Sequence, residues 1–220
     1  MAILEDVKKL AEQTTGIGRP KPRDLPGLVR ARKPGTFRFR DDGSIPNHPR
    51  WPLVRYPGAV RIAKSLDPAA IFEALFEQNG WSDAWRNGVY DYLHYHSGIH
   101  EVMGVARGSA VVQFGGRHGR KLKLKAGDVI ILPAGTGHQC YSASEDFLVV
   151  GAYPATGKYD LCRTSPKEHE RALNTVPKVP PPRRDPVYGR NGALLQLWTR
   201  TRRAGAKRKK PARRDALRCG

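Results

Sequence analysis

Between residues 89 and 154 the sequence is a series of short apolar runs with no helical period between them. Turns containing Gly, Pro or Ser-Gly separate the runs, which read VYDYLHYH, EVMGVA, SAVVQFGG, LKLKAG, DVIILP and DFLVVGAYP. The run KLKLK at 121–125 alternates, so Leu122 and Leu124 should face a core while three lysines face solvent. Short strands in close succession are typical of an antiparallel barrel or sandwich. We therefore predict an all-β fold.

Two helices are predicted before this region. Residues 2–13 carry apolar side chains at helical spacing, namely Ile3, Leu4, Val7, Leu10 and Ala11. Residues 14–35 are rich in Gly, Pro and Arg and predict an irregular arm, after which TFRFR at 36–40 alternates like a strand. A second helix should begin at Pro68 behind a Ser65 or Asp67 cap and stop at the Asn-Gly pair 79–80. Its apolar face is Ile71, Phe72, Leu75 and Phe76.

The C-terminal part of the chain changes character twice. Residues 176–198 are proline-rich and then apolar, which predicts an extended segment over the barrel that ends in a packed Leu-Leu-Gln-Leu-Trp strand. Nearly half of the net charge of +19 lies beyond it, because Trp198 to Gly220 holds ten Lys or Arg and one Asp. Residues 199–220 therefore predict a disordered basic tail. Such a tail either contacts nucleic-acid phosphates non-specifically or is simply solvated.

Length, apolar content and cysteine usage set the class of protein. The 220 residues fit one large domain with extensions. Neither a membrane-spanning apolar run nor a secretory leader is visible, since the start MAILEDVKKLAEQ is interrupted by charges. The three cysteines have no CxxC spacing and an odd count, which favours a reducing cytoplasm over a disulfide framework. Cys140 is interpreted as a small buried residue of a strand.

Three of the seven histidines fall within the eight residues HYHSGIHE at 94–101. In a strand, alternate side chains share a face, so His94 and His96 can reach one ion. Glu101 heads the next strand, and a third imidazole follows at His138, the last residue of LPAGTGH. Three imidazoles and one carboxylate suit Fe(II), Mn, Co, Ni, Cu or Zn and leave one or two positions open. The alternative is a polar set that is satisfied inside the fold without a metal.

Other residues near these positions have lesser predicted roles. Tyr90, Tyr92, Met103 and Gln113 are expected to share the inner face, mostly as core, with Tyr92 or Gln113 able to orient a ligand. His100 adjoins Glu101 and should point to the opposite face, as a loop or outer-face residue; a substitute-ligand role is the alternative. His118, in GGRHGR, is expected to be solvated in a hairpin loop.

The spacing of these residues resembles the two conserved motifs of the cupin superfamily. The first is Gly88-x5-His94-x-His96-x4-Glu101-x6-Gly108, and the second is Gly127-x5-Pro133-x-Gly135-x2-His138. The usual closing Asn of the second motif is Ser142 here, and eighteen residues separate the motifs. The flanking stretches DDGSIPNHPRWPLVRYPG, GAYP and DPVYGRNGALLQLW further resemble the uncharacterised YjlB-like group. The likeness covers residues 36–198, and its motif core is 88–142.

The resemblance implies a double-stranded β-helix, or jelly-roll barrel, with a few short flanking helices. It also implies that His94, His96, Glu101 and His138 converge on one divalent Fe, Mn, Ni or Zn ion. The expected function is a mononuclear metalloenzyme, dioxygenase- or isomerase-like, that acts on a small oxygen-rich molecule. The alternative is a non-catalytic cupin that binds a small molecule. Cupins often dimerise through sheet edges, so a homodimer is expected, with residues 1–35 able to wrap a neighbour.

Overall fold

The computed structural model describes residues 18–199, and within this range nine strands form two antiparallel sheets. The strands are β1 (Gly35–Phe37), β2 (Leu53–Tyr56), β3 (Trp81–Asn87), β4 (Glu101–Arg107), β5 (Ser109–Phe114), β6 (Arg120–Lys125), β7 (Val129–Leu132), β8 (His138–Ala143) and β9 (Leu148–Pro154). The α-helices are α1 (Leu25–Leu28), α2 (Pro68–Gln78), α3 (Pro166–Thr175) and α4 (Ala193–Thr199). The predicted helix at residues 2–13 and the tail beyond Thr199 lie outside the described residues.

The two sheets pack face to face. The larger has the order β1-β2-β7-β4-β9-β3 and the smaller β6-β5-β8. Their facing sides share an apolar core that includes Leu53, Met103, Val105, Val112, Phe114, Leu124 and Ile130. Burial alternates along β6, with both leucines of KLKLK inside and its lysines exposed, as predicted. No ladder among the described strands joins the sheets, so the barrel is open, while the all-β jelly-roll class is confirmed.

Helix α2 covers the outer face of the larger sheet, and its predicted bounds are confirmed. The Asp67 carboxylate accepts the Ala69 N–H at 3.0 Å, and Pro68 occupies the first turn. Its apolar face packs against the outer-face residues of β4 and β9, such as Val102 and Val150, in a second core cluster. Gly104 on β4 permits this close approach, because a Cβ there would overlap the Phe72 ring.

The predicted Leu-Leu-Gln-Leu-Trp strand is wrong, since these residues belong to helix α4. Leu194 and Trp198 lie four residues apart and are both buried, whereas Gln196 between them is exposed, which is a helical pattern. The Trp198 indole N–H donates to the Pro52 carbonyl at 3.0 Å, and its ring stacks on Trp51 at 5.1 Å between centroids. These contacts with distant residues stabilise α4 as a helix, and a local sequence pattern does not predict them.

The predicted strand at residues 89–96 is also wrong. Beyond β3, which already forms the edge of the larger sheet, residues 88–100 cross irregularly towards β8 and make only isolated bridges. The strand β3 itself was not predicted, and TFRFR pairs only as far as Phe37. None of the helices within residues 18–199 is long and apolar enough to cross a membrane.

Candidate metal centre

Two chain segments bring three imidazoles together. His138 begins β8, and His94 bridges to it: the His94 N–H donates to the His138 carbonyl at 3.2 Å, and the reverse bond is 2.9 Å. Two residues further along, His96 returns to the same side. The ring centroids of His94 and His138 are 4.0 Å apart. One ligand nitrogen from each histidine lies within 4.8 Å of the other two, and all three side chains are buried.

The backbone around each imidazole determines which ring nitrogen carries the proton. The Nδ1 atoms of His94 and His138 lie 3.0 and 3.1 Å from the carbonyl oxygens of Tyr92 and Thr136. The Nδ1 of His96 makes the same contact with the Asp160 carbonyl. Because a carbonyl oxygen can only accept, each Nδ1 must carry the hydrogen. Each neutral ring therefore presents an Nε2 lone pair, which is the form that binds a cation.

Glu101 completes the cluster from the first position of β4, where it pairs with Leu132 of β7. Its side chain is buried, with Oε1 3.6 Å from His96 Nε2 and Oε2 3.4 Å from His138 Nε2. Oε2 has no hydrogen-bond partner. A buried carboxylate oxygen without a partner is strongly unfavourable, so a cation held between these atoms would satisfy it. The donor set and its geometry fit a transition-metal ion.

The protonation states of the cluster also suit a cation. Burial would raise the pKa of Glu101, but the neighbouring imidazoles, His96 first, lower it to about 2. Burial lowers the pKa of His94, and burial together with His94 lowers that of His138 to about 3. Burial also acts to lower the pKa of His96, yet Glu101 raises it above its usual value. At neutral pH the cluster thus holds one carboxylate and at least two unprotonated imidazoles.

Asp160 positions His96, although no motif in the sequence pointed to it. Its Oδ1 accepts the backbone N–H groups of Ser97 and Gly98 at 2.8 and 3.0 Å. Its Oδ2 accepts the Ser97 hydroxyl and, at 3.2 Å, the Cys162 thiol. Since its carbonyl also accepts from His96 Nδ1, Asp160 fixes both the Ser-Gly turn and the neighbouring ring.

A cavity of about 750 Å³ opens over the cluster. The structure places all four predicted ligands in its lining, together with Tyr90 and Met103, as expected of the inner face. Trp85, Tyr153 and Tyr159 also line it, although no motif in the sequence pointed to them.

Two residues assigned to the inner face lie elsewhere. Gln113 faces away from the core between buried Val112 and Phe114, and it donates to the Gly116 carbonyl at 2.7 Å, so the expectation that it orients a ligand is wrong. Tyr92 stacks on Tyr90 at 4.8 Å outside the cavity lining.

His100 lies on the opposite side from Glu101, as predicted, but it is fully buried instead of facing solvent. Its Nδ1 accepts the Ala134 N–H at 2.9 Å, and its Nε2 donates to the Pro180 carbonyl at 3.1 Å. Both ring nitrogens are therefore engaged, which excludes the substitute-ligand role in this structure. His118 is exposed in the β5–β6 loop, as predicted, and Cys140 is a half-buried residue of β8.

Comparison with known proteins agrees with this fold. A cupin domain profile matches residues 86–150, a stretch that contains all four cluster residues. Over 169 residues the chain is 40% identical to the uncharacterized protein YjlB of Bacillus subtilis (strain 168), covering 77% of this chain and 99% of that protein. The chain belongs to the cupin family. Within the family it is YjlB-like, which confirms the resemblance seen in the sequence.

Solved structures similar to this cupin are more distant. A chain from the crystal structures of the DMSP lyases RdDddP and RnDddQII is 23% identical, with a TM-score of 0.30 over 37% of this chain and 41% of that one. The oxalate decarboxylase of Bacillus subtilis, described with Mn(II) centres, is 21% identical, with a TM-score of 0.29 over 51% of this chain and 22% of that one. Each match covers less than half of the solved chain, so neither assigns a reaction to this protein.

Proposed function

We propose that this YjlB-like cupin binds one divalent transition-metal ion through His94, His96, Glu101 and His138. The observation that carries the proposal is the fixed tautomer of the three imidazoles, each held with its Nδ1 hydrogen on a backbone carbonyl. The unpartnered buried oxygen of Glu101 adds a fourth donor. Nitrogen donors with one carboxylate suit Fe, Mn, Ni or Zn.

We infer further that the centre is catalytic and acts on a small oxygen-bearing molecule, in a reaction of the oxygenase or isomerase type. Four protein donors leave coordination positions that can face the cavity. When bound, the metal supplies a Lewis acid for a substrate oxygen or a redox centre for dioxygen chemistry. The chain itself contributes the buried apolar side chains of Ile99 and Met103 beside the cluster, which limit water there. A cupin that only binds its ligand would use the same cavity without forming product.

Elemental analysis of the purified, untagged protein by plasma mass spectrometry tests the metal centre. We expect about one Fe, Mn, Ni or Zn per chain, as in other mononuclear sites, and its loss in His96→Ala. The matched control is His118→Ala, the same substitution at an exposed histidine outside the cavity, which should retain the metal. Full occupancy in His96→Ala would refute the ligand assignment. Wild-type protein that stays metal-free after reconstitution would refute the metalloenzyme itself.

We also propose two partners beyond the cavity. Residues 200–220 carry ten Lys or Arg and one Asp, which supports non-specific contact with nucleic-acid phosphates. Deleting them should weaken binding to single-stranded DNA at low salt, and unchanged binding would contradict the idea. The open edges of both sheets support a homodimer, which light scattering would show as twice the chain mass.

A further inference from the structure

The wall of the cavity over the proposed metal centre differs in polarity with depth. Apart from the proposed ligands, its buried residues are mainly apolar: Ile99, Met103 and Tyr153 are 6%, 1% and 7% exposed. Polar lining residues such as Ser82 and Asn87 are exposed and therefore belong to the rim. A ligand that reaches the metal must place an apolar body in the buried part.

Aromatic rings meet beside His96. The Tyr159 centroid lies 5.1 Å from the His96 imidazole and 5.3 Å from the Tyr153 ring, and Tyr153 stands edge-on to His96 at 6.0 Å. The Trp85 indole N–H donates to the Tyr153 hydroxyl at 2.9 Å and so holds that ring in place. The Tyr153 ring stands at 81° to His96 and at 68° to Tyr159. Such flat aromatic faces favour a planar ligand, because aromatic rings pair best edge-to-face or offset-stacked.

The charges of the lining restrict the ligand further. Apart from Glu101, the charged side chains in the lining are Arg86 and Asp83. Arg86 is already engaged, since its guanidinium donates to Glu73 at 2.6 and 2.8 Å and to Asp67 at 2.7 Å. Within the described lining no cation remains unpaired. In the buried part of the cavity a second anionic group of a ligand would meet apolar wall with no free cation beside it, and a buried anion without a partner binds poorly.

We propose that the cavity selects a compact aromatic molecule with one metal-chelating pair of oxygens and no second anionic group. This inference rests on the proposed function, because the chelating oxygens take the open positions of the metal. The ring packs against buried Tyr153 and against Tyr159, which is 51% exposed and lies towards the cavity mouth, and polar substituents extend to the rim. The cavity volume of about 750 Å³ lies within the range of small-molecule sites.

Three hydroxamic acids, titrated calorimetrically into the full chain loaded with Ni²⁺, separate these features. Acetohydroxamic acid carries the chelating group alone, benzohydroxamic acid adds a phenyl ring, and phosphonoacetohydroxamic acid adds a second anion. Benzohydroxamic acid should bind about tenfold more tightly than acetohydroxamic acid, or better, because a buried ring adds apolar area. The phosphonate should bind no more tightly than acetohydroxamic acid.

Two tyrosine variants test which side chain produces the preference for the phenyl ring. Tyr159→Leu should lower the preference for the phenyl ring several-fold. Tyr141→Leu should leave it unchanged, because Tyr141 is a half-exposed tyrosine of β8 outside the lining.

Equal affinities for the first two compounds, or tighter binding of the phosphonate, would overturn this inference while the metal centre stands. Benzohydroxamic acid that binds His96→Ala as tightly as wild type would also overturn it, since chelation would then play no part. A wild-type protein that takes up no Ni²⁺ and binds none of the three compounds would overturn the inference and the proposed function together.

Discussion

Replacing Asp160 by Ala perturbs a residue that acts on the proposed metal centre only through a neighbour. The carboxylate accepts hydrogen bonds from the backbone of Ser97 and Gly98, while the carbonyl of the same residue accepts from His96 Nδ1. Without the carboxylate, the Ser-Gly turn and residue 160 are no longer tied together. The carbonyl that sets the His96 tautomer then loses its fixed position.

The structure gives the expected size of the change in stability and of the change in metal affinity. A hydrogen bond to a charged group contributes about 1.5–3 kcal/mol. Losing the two backbone bonds, along with those from the Ser97 hydroxyl and the Cys162 thiol, should therefore lower the free energy of unfolding by at least about 3 kcal/mol. Burial acts to raise the pKa of Asp160, but Ser97 and the other donors lower it overall. The contribution is therefore present at neutral pH and lost as the pH falls through that lowered pKa. Loss of an orienting group should weaken metal binding about 10- to 100-fold.

Urea unfolding followed by tryptophan fluorescence measures the first effect, and competition with a chromophoric chelator measures the second. Asp42→Ala is the matched control, because the Asp42 carboxylate also accepts backbone N–H groups, those of Ser44, Ile45 and Arg117, but contacts no residue of the cluster. The control should lose stability and keep its metal affinity. If folded Asp160→Ala binds metal as tightly as Asp42→Ala, the positioning role is refuted.

Two further predictions concern the scaffold. Gly104→Ala should lower the free energy of unfolding by about 2–4 kcal/mol, because its Cβ would overlap the Phe72 ring. Gly88→Ala, which has open space around it, should change this free energy little in the same urea titration. Equal losses in the two variants would contradict the packing argument. His48 is buried and accepts the Trp51 N–H at 2.9 Å, and burial lowers its pKa to about 3. Below about pH 6.5 the unfolded state therefore binds a proton that the folded state does not, and stability should fall by about 2 kcal/mol at about pH 5. His48→Asn, which retains an acceptor but does not titrate, should show a pH dependence smaller by that amount, and an unaltered dependence would exclude His48 as its source.

The proposed centre was predicted from spacing, although the local structure predicted for it was wrong. His94 and His96 do share a side, but they lie in an irregular crossing segment and not in a strand. An extended chain places residues two apart on one side whether or not it pairs in a sheet, so His94 and His96 meet on one side despite the error. The edge of the larger sheet is taken by β3, and this long-range pairing was not visible in the local pattern.

The residues around the centre were harder to predict. Asp160 reaches His96 from a loop after β9, and Tyr159 and Tyr153 join the cavity from the same region. Nothing in the residues next to them marks them, since their role depends on β9 pairing with β4. His100 shows the same limit: its burial follows from the ring of Trp198, which comes from helix α4 almost a hundred residues later.

The sequence alone determined the features that depend on near neighbours. The alternation of KLKLK, the Asp67 cap of α2 and the spacing of the two histidine motifs are all fixed within a few turns or strands of chain. Only the tertiary structure decided what depends on distant partners: the helical state of residues 193–199, the bond between His96 and the Asp160 carbonyl, and the apolar and aromatic residues that line the cavity. The physical reason is that periodicity and capping are local energies, whereas burial and hydrogen-bond partners are set by which segments meet when the sheets pack.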